Sequence, residues 1–378
     1  MWILDRYLLR QFLKTFVICF VSLTGLYIVI DAFSNLEEFM RAAQRHGGLL
    51  AVMGPYYAYR SILFFDRTAA LLTLIAAMFT ATWIQRHNEL TALMASGISR
   101  VRVVVPVLGA AVVLVLLAAA NRELVLPRYR SELLKWPRDL AGGASRELQF
   151  RYDNQTDILI RGSGADADQQ KIDRPDFLLP FALNDYGSQL TAEEAFYRPA
   201  EGNRPAGYLL RGVQQPKDLD QQPSLALGGK PVIITPRDAP DWLRPGECFV
   251  VSELTFEQLV DSAGFRDYAS VAQLIRGLRN RSLDFGADVR VAIHARVVQP
   301  LLDVTLLFLG LPLVLARESR NVFWAVGLCG VVVSVFMLVV IGFQYLGSST
   351  FLSPALAAWA PLMLFVPLAV ALAESMWE

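Results

Sequence analysis

The run NVFWAVGLCGVVVSVFMLVVIGFQYLGSSTFLSPALAAWAPLMLFVPLAVALA, residues 321–373, contains no charged side chain. One crossing of a bilayer takes about 20 residues, so this stretch is too long for a single helix and must hold two. The break is expected at Gly347-Ser348-Ser349-Thr350, with Pro354 just beyond. Upstream of it, another apolar segment lies between Arg296 and Arg317 and carries one acid, Asp303. Three more occupy the N-terminal part: Lys14 to Asp31, Arg67 to Arg86, and Val103 to about Ala120. A polar stretch of roughly 160 residues separates the two groups of three. The layout is that of an α-helical membrane protein with six transmembrane helices and a large extracytoplasmic domain between helices 3 and 4. Residues 1–126 are expected to hold helices 1–3, residues 127–290 the domain and a connecting helix, and residues 291–378 helices 4–6. The Trp2-to-Ile30 stretch lacks a small-residue cleavage site after its apolar run, which reads as a retained span.

Orientation follows from Lys and Arg in the short flanks, because positive charge is retained on the cytoplasmic side. With both termini inside, the inner set is Arg6, Arg10, Lys14, Arg86, Arg100, Arg102, Arg317 and Arg320, against only Arg41, Arg45 and Arg60 outside. The large domain is then external, and its own charges do not bear on the rule.

Net charge is zero, with 35 basic and 35 acidic residues segregated by side, and no nucleic-acid partner is expected. Cys19 and Cys329 fall in spans and Cys248 stands alone outside, so the outer domain has no disulfide framework. The three histidines, at 46, 87 and 294, lack metal-ligand spacing. No catalytic residue, cofactor or metal is expected on this chain. There is no Gly-rich phosphate loop, so any ATP and Mg would sit on a separate subunit.

The outer region reads as all-β, a sandwich or jellyroll. Leu148, Phe150 and Tyr152 alternate with polar residues, and short apolar runs recur at Ile158–Ile160, Phe177–Phe181, Tyr208–Leu210, Val232–Ile234 and Phe249–Val251, separated by turn residues. From Phe256 to about Arg281 the period becomes helical, through Phe265, Tyr268, Val271, Leu274, Ile275 and Leu278. This is expected to be one connecting helix, under the domain or on anionic headgroups. Leu148–Tyr152 and Tyr208–Leu210 are the expected free strand edges.

Between the second and third spans lies Gln85-Arg86-His87-Asn88-Glu89-Leu90-Thr91-Ala92-Leu93-Met94-Ala95-Ser96-Gly97-Ile98-Ser99. It is short and helix-forming over about 86–97, with Gly97 placed to end the helix. Leu90, Leu93 and Met94 offer an apolar contact and Glu89 a charge for an Arg on a cytoplasmic partner. An amphipathic helix lying on the membrane surface is the plainer reading of the Leu/Met stripe. This stretch closely resembles the coupling helix of the LptF/LptG permease family, the membrane subunits of the lipopolysaccharide exporter.

The resemblance extends over nearly the whole chain: Leu4-Asp5-Arg6-Tyr7 at the start, Asp31 at the end of the first helix, Thr191–Ala195 with Gly207–Leu210 in the β domain, and His294-Ala295-Arg296, Pro300 and Leu311-Pro312 in the fourth span. It implies an inner-membrane permease pairing with a second permease of the family around a lipid cavity. It further implies a cytoplasmic ABC ATPase dimer acting through the coupling helices, and a periplasmic bridge protein of the jellyroll type that receives the lipid. The start and Asp31 lean toward the LptG side, and the choice between the LptF and LptG seats stays open. Family members often carry a cation near the outer end of the first helix, where this chain reads Tyr27-Ile28-Val29-Ile30. Arg60, Arg67 and Arg296 are the candidate replacements for binding lipid phosphates, with Asp31, Asp66 and Asp303 holding them when no lipid is bound. Arg296, Gln299 and Asp303 share one helical face, which suits structural pairing within the bundle. Ordinary interfacial snorkelling is the alternative for each arginine. The competing classes are a secondary transporter, which needs ionisable residues near the midplane of broken helices, and a membrane scaffold bearing an external β domain.

Overall fold

The computed structural model describes residues 2–374 except 142–147, 149, 167–168, 203, 261, 281, 284 and 316–321. Arg281, Arg317 and Arg320 therefore lie outside the described residues. The chain forms two compact units, one helical and one built mainly of Leu134–Phe285.

The helical unit contains α1 (Trp2–Ser34), α2 (Leu36–His46), α3 (Leu49–Arg86), α4 (Glu89–Ala95), α5 (Arg100–Ala120) and the single turn α6 (Arg130–Leu133). Among the described residues six helices are long and apolar enough to cross a membrane: α1, α3, α5, and the three helices after the β domain. The charge-free runs are only part of these helices. The 38 residues of α3 span about 57 Å at 1.5 Å per residue, well beyond the roughly 30 Å of hydrocarbon. Arg60 and Asp66, which precede the apolar run that begins at Arg67 in sequence, thus lie within an unbroken helix. Sequence patterning missed α2, because its Glu37, Glu38, Arg41 and Arg45 read as a polar loop. Its Phe39 is fully buried against the rings of Tyr56 and Tyr57, which fixes the helix on α3.

One apolar core joins the spans, including Leu8 and Phe12 of α1 and Leu72, Leu74 and Met78 of α3. Buried Thr73, Thr80 and Thr82 donate to the carbonyls of Ala69, Ala76 and Met78 at 2.6, 2.8 and 2.8 Å, so their hydroxyls need no outside partner.

In the second unit, among the described residues, ten strands make one antiparallel sheet. They are β1 (Arg151–Asp153), β2 (Ile158–Arg161), β3 (Gly164–Asp166), β4 (Lys171–Asp173), β5 (Asp176–Leu178), β6 (Gln189–Arg198), β7 (Gly207–Gln215), β8 (Leu225–Leu227), β9 (Lys230–Ile234) and β10 (Glu247–Val251). The path runs β1-β2-β5-β6-β7-β10-β9-β8, and β6 shares one edge between β5 and β4. The β8 end returns against the 3₁₀ turn Phe181–Tyr186, so the sheet curls around one core of Ile158, Ile160, Ile172, Phe177, Tyr208 and Ile233, among others. Gly207 is obligatory, since a Cβ there would lie 2.2 Å from the Val250 carbonyl. Gly228 and Gly229, at φ 58° and 79°, turn β8 into β9.

Two expectations need correction. Tyr208–Leu210 is no edge: it lies inside β7, paired on both sides with β6 and β10. Of the two stretches only Arg151–Asp153 sits at an end of the sheet path. The single helix expected from Phe256 is interrupted before Ser270: the helical segments α7 (Phe256–Val260) and α8 (Ser262–Tyr268), which flank residue 261 outside the described residues, are followed by a separate α9 (Val271–Arg279). Ser270 starts the last with a capping box, its hydroxyl accepting from Gln273 N–H while the Gln273 side chain returns to Ser270 N–H. That local exchange outweighs the continuous apolar periodicity.

The chain then enters α10 (Ala287–Leu315), α11 (Val322–Ser348) and α12 (Pro354–Glu374). The last two are divided at the Gly347–Thr350 break, where Thr350 has φ 63° and Ser353 caps α12 by accepting from Leu356 N–H. α10 packs against α3, α5, α11 and α12, and is the centre of the bundle.

Candidate functional site

The connection between the second and third spans is a compact unit. α3 stops after Arg86, and Asn88 turns the chain at φ 58°, a left-handed conformation that Asn tolerates. α4 follows for two turns, Gly97 turns it again at φ 83°, and Ser99 caps α5 by accepting from Arg102 N–H. Both corners explain why the helix is shorter than the stretch 86–97 that its composition favours.

The four candidate coupling residues part company within α4. Leu90 is only 8% exposed and enters a small apolar cavity lined by Ala77, Ala81, Ile84, Val103, Val107 and Leu311. Its apolar contact is therefore made inside the chain. Leu93 is half-buried against the same core, whereas Met94 is 40% exposed on the outward face beside Ala95. Half-buried Glu89 receives the Tyr7 hydroxyl of α1 at 3.1 Å on each carboxylate oxygen. Asp5, one half-turn earlier, pairs with Arg102 of α5 at 2.9 Å. Asp5 and Tyr7 stood in the sequence reading only as part of the resemblance at the start of the chain, and neither pairing was read there, since nothing local joins residues so far apart.

At the other end of the bundle, Asp31 accepts from the Tyr57 hydroxyl at 2.9 Å and from the Asn35 amide at 3.3 Å. The Arg60 guanidinium stands 5.2 Å from the Tyr56 ring centre. Arg67 lies exposed two turns further along α3, and Arg296 is half-buried on α10. The cations Arg60 and Arg67 share a helix face, while Arg296 comes from a different helix.

Asp66 is held by a residue that the sequence reading passed over. Arg122 reaches it through Nε at 3.1 Å and Nη2 at 2.9 Å. Arg122 stands in a π-helical turn, Asn121–Val125, that prolongs α5, and Asn121 donates to the Ile62 carbonyl at 3.3 Å. The π turn re-aims the side chains at this end of α5 toward α3. Asp303 is buried and accepts from Gln299 at 2.8 Å, as expected for an i, i+4 pair on one face of α10. An arginine just past an apolar run, with an acid on the neighbouring span, was the available signal for Arg122.

The β unit holds structural polar groups. Burial pushes the Tyr208 hydroxyl and the Cys248 thiol above their ordinary ranges, and Tyr208 donates to the Leu254 carbonyl at 3.0 Å. Asp173 and then Glu194 raise Lys171 by pairing with it. Among the described residues no group of three His, Cys, Asp or Glu side chains is arranged to hold a metal.

Six membrane-length helices interrupted by an antiparallel β unit define a multi-pass membrane protein with a large domain between its third and fourth spans. The family described as lipopolysaccharide export system permease LptF/LptG matches residues 6–375, nearly the whole chain, and the chain belongs to that family. It is a lipopolysaccharide export permease subunit, a transport protein and not an enzyme. No curated protein matches it.

Proposed function

We propose that this chain works in the inner membrane with both termini in the cytoplasm and its β unit in the periplasm, as one half of an ATP-driven exporter of lipopolysaccharide. The Lys and Arg bias supports the orientation, and adding Arg122 to the outer set leaves the excess on the same side. A second permease of the family completes the lipid cavity, a cytoplasmic ABC ATPase dimer binds ATP and Mg, and a periplasmic jellyroll protein takes the lipid onward. Lipid phosphates are met by Arg60, Arg67 and Arg296 near Asp31, because unpaired phosphate charge in a low-dielectric site costs several kcal/mol.

The observation that carries the reading is α4. It is a two-turn helix between left-handed corners, seated by Leu90 and presenting Met94 and a carboxylate at one mouth of the bundle. Such an element suits docking into a groove, with Glu89 offering a charge-assisted bond to an arginine of the ATPase. The test is Glu89→Lys in the purified complex. Loss of ATPase co-purification and of lipid-stimulated hydrolysis supports docking through α4; both unchanged would refute it.

A further inference from the structure

Two polar links fasten the first turns of α1 to both ends of the connection that carries α4. Tyr7 bonds Glu89, the first residue of α4, and Asp5 pairs with Arg102 in the first turn of α5. On either side of them in sequence Leu4 and Leu8 pack into the bundle core, so this end of α1 is held by apolar and polar contacts together. Further along, α1 packs on α3 through Phe16, Phe20 and Tyr27 and is bonded to it again at Asp31, yet only 11% of its apolar window is buried, the lowest share of the six spans. One side of α1 is fixed on α3, and its first turns are joined by polar links to the connection that carries α4, so motion of that connection is felt first at this end of α1.

The carboxylate of Glu89 has room for more than Tyr7. One phenolic proton shared by two oxygens leaves lone pairs free on both, enough for an arginine to engage the same group. Tyr7 therefore fixes where Glu89 stands without using it up.

We propose that Tyr7 is a positioning residue for Glu89, and that the Tyr7–Glu89 and Asp5–Arg102 links carry displacement of α4 into α1, the span with the largest unburied face. This rests on the reading of α4 as the ATPase-docking helix. It makes α1 the first moving part of the permease, driven from its cytoplasmic end.

The test uses the full chain with its co-expressed partner subunits in phosphatidylethanolamine–phosphatidylglycerol vesicles containing lipopolysaccharide, reading lipid moved per ATP hydrolysed. Tyr7→Phe keeps the ring and should lower that ratio about threefold or more while the ATPase still binds and hydrolyses ATP. Because both substitutions break one link, Tyr7→Phe with Glu89→Ala should be no worse than the worse single variant. The exchange Asp5→Arg with Arg102→Asp should recover part of what either single reversal loses. A wild-type ratio in Tyr7→Phe, additive losses in the double variant, or no recovery on exchange would overturn the link. Glu89→Lys separates the two levels: if it binds ATPase normally, the docking reading fails and takes this proposal with it. If Glu89→Lys sheds the ATPase while Tyr7→Phe keeps the wild-type ratio, the link alone fails.

Discussion

Asp66 of α3 and Arg122, in the π-helical turn that ends α5, are joined by two hydrogen bonds, and the Asp66 side chain is only 6% exposed. The pair ties the second and third spans together, with the Asp66 carboxylate withdrawn from solvent and the Arg122 guanidinium part-exposed. Removing one member should leave a buried charge without its counterion, at a cost of about 3–5 kcal/mol for a fully buried pair and less here because Arg122 is 29% exposed. Arg122→Ala should therefore lower the melting temperature of the detergent-extracted protein more than Asp66→Asn with Arg122→Gln together. Fluorescence-detected size exclusion after heating measures this.

Two helix crossings in the bundle depend on glycine to different degrees. A Cβ at Gly347 would lie 2.4 Å from the Ala357 Cβ and 2.9 Å from a Val291 methyl, whereas one at Gly310 would meet a Leu74 methyl at 2.6 Å. Ala357 has no rotamer with which to yield, and Leu74 does. Gly347→Ala should destabilise the bundle by about 1–3 kcal/mol, and Gly310→Ala by less. Adding Leu74→Val should relieve the second substitution further. Relative thermal stability of the three proteins in one detergent decides it.

Cys248 is completely buried in the β core, and its thiol is held above its ordinary value by desolvation. In the unfolded chain a thiol ionises near pH 8.5. Above that pH the unfolded state gains a thiolate that the folded state refuses, so stability should fall by up to about 1.4 kcal/mol per pH unit. Below it the group contributes no pH dependence. Maleimide at pH 7.5 should leave Cys248 unlabelled until denaturant is added, as mass spectrometry of the tryptic peptide would show.

Much of this architecture was legible in the chain because bilayer length and charge leave few choices. The 53 charge-free residues after Arg320 resolve into α11 and α12 at the Gly347–Thr350 break. Of the apolar runs of the outer region, Ile158–Ile160, Tyr208–Leu210, Val232–Ile234 and Phe249–Val251 fall within strands β2, β7, β9 and β10, whereas Phe177–Phe181 runs past the end of β5 into a 3₁₀ turn and only the end of Leu148–Tyr152 lies in β1. Less was legible where local chemistry competes with periodicity, as at Ser270, whose capping box starts a new helix within a continuous helical pattern. Strand order was not readable at all, so the interior place of Tyr208–Leu210 came only with the pairing to β6 and β10. The candidate site was read as composition and needed the fold to become geometry. Glu89 and Leu90 are neighbours in sequence, yet one turns to Tyr7 and the other into the bundle.

If a bridge protein docks on the β unit as proposed, the sheet path sets where it should pair. Among the described residues β1 has a strand neighbour on one side only, β2, with Tyr152 61% exposed, whereas Leu209 of β7 is enclosed by strands on both sides. Backbone groups left unpaired at an edge are what strand addition uses. A photocrosslinker at Tyr152 should capture a β-rich periplasmic protein, and one at Leu209 should not.

Coupling through α4 is tested most directly by photocrosslinking from two positions four residues apart on that helix. Met94 is 40% exposed and Leu90 only 8%. A photoreactive phenylalanine at Met94, in cells and with the product identified by mass spectrometry, should capture a subunit bearing a nucleotide-binding phosphate loop. The same probe at Leu90 should give products only within this chain. Capture of the ATPase from Leu90, or none from Met94 in a complex that exports lipopolysaccharide, would contradict docking through this helix.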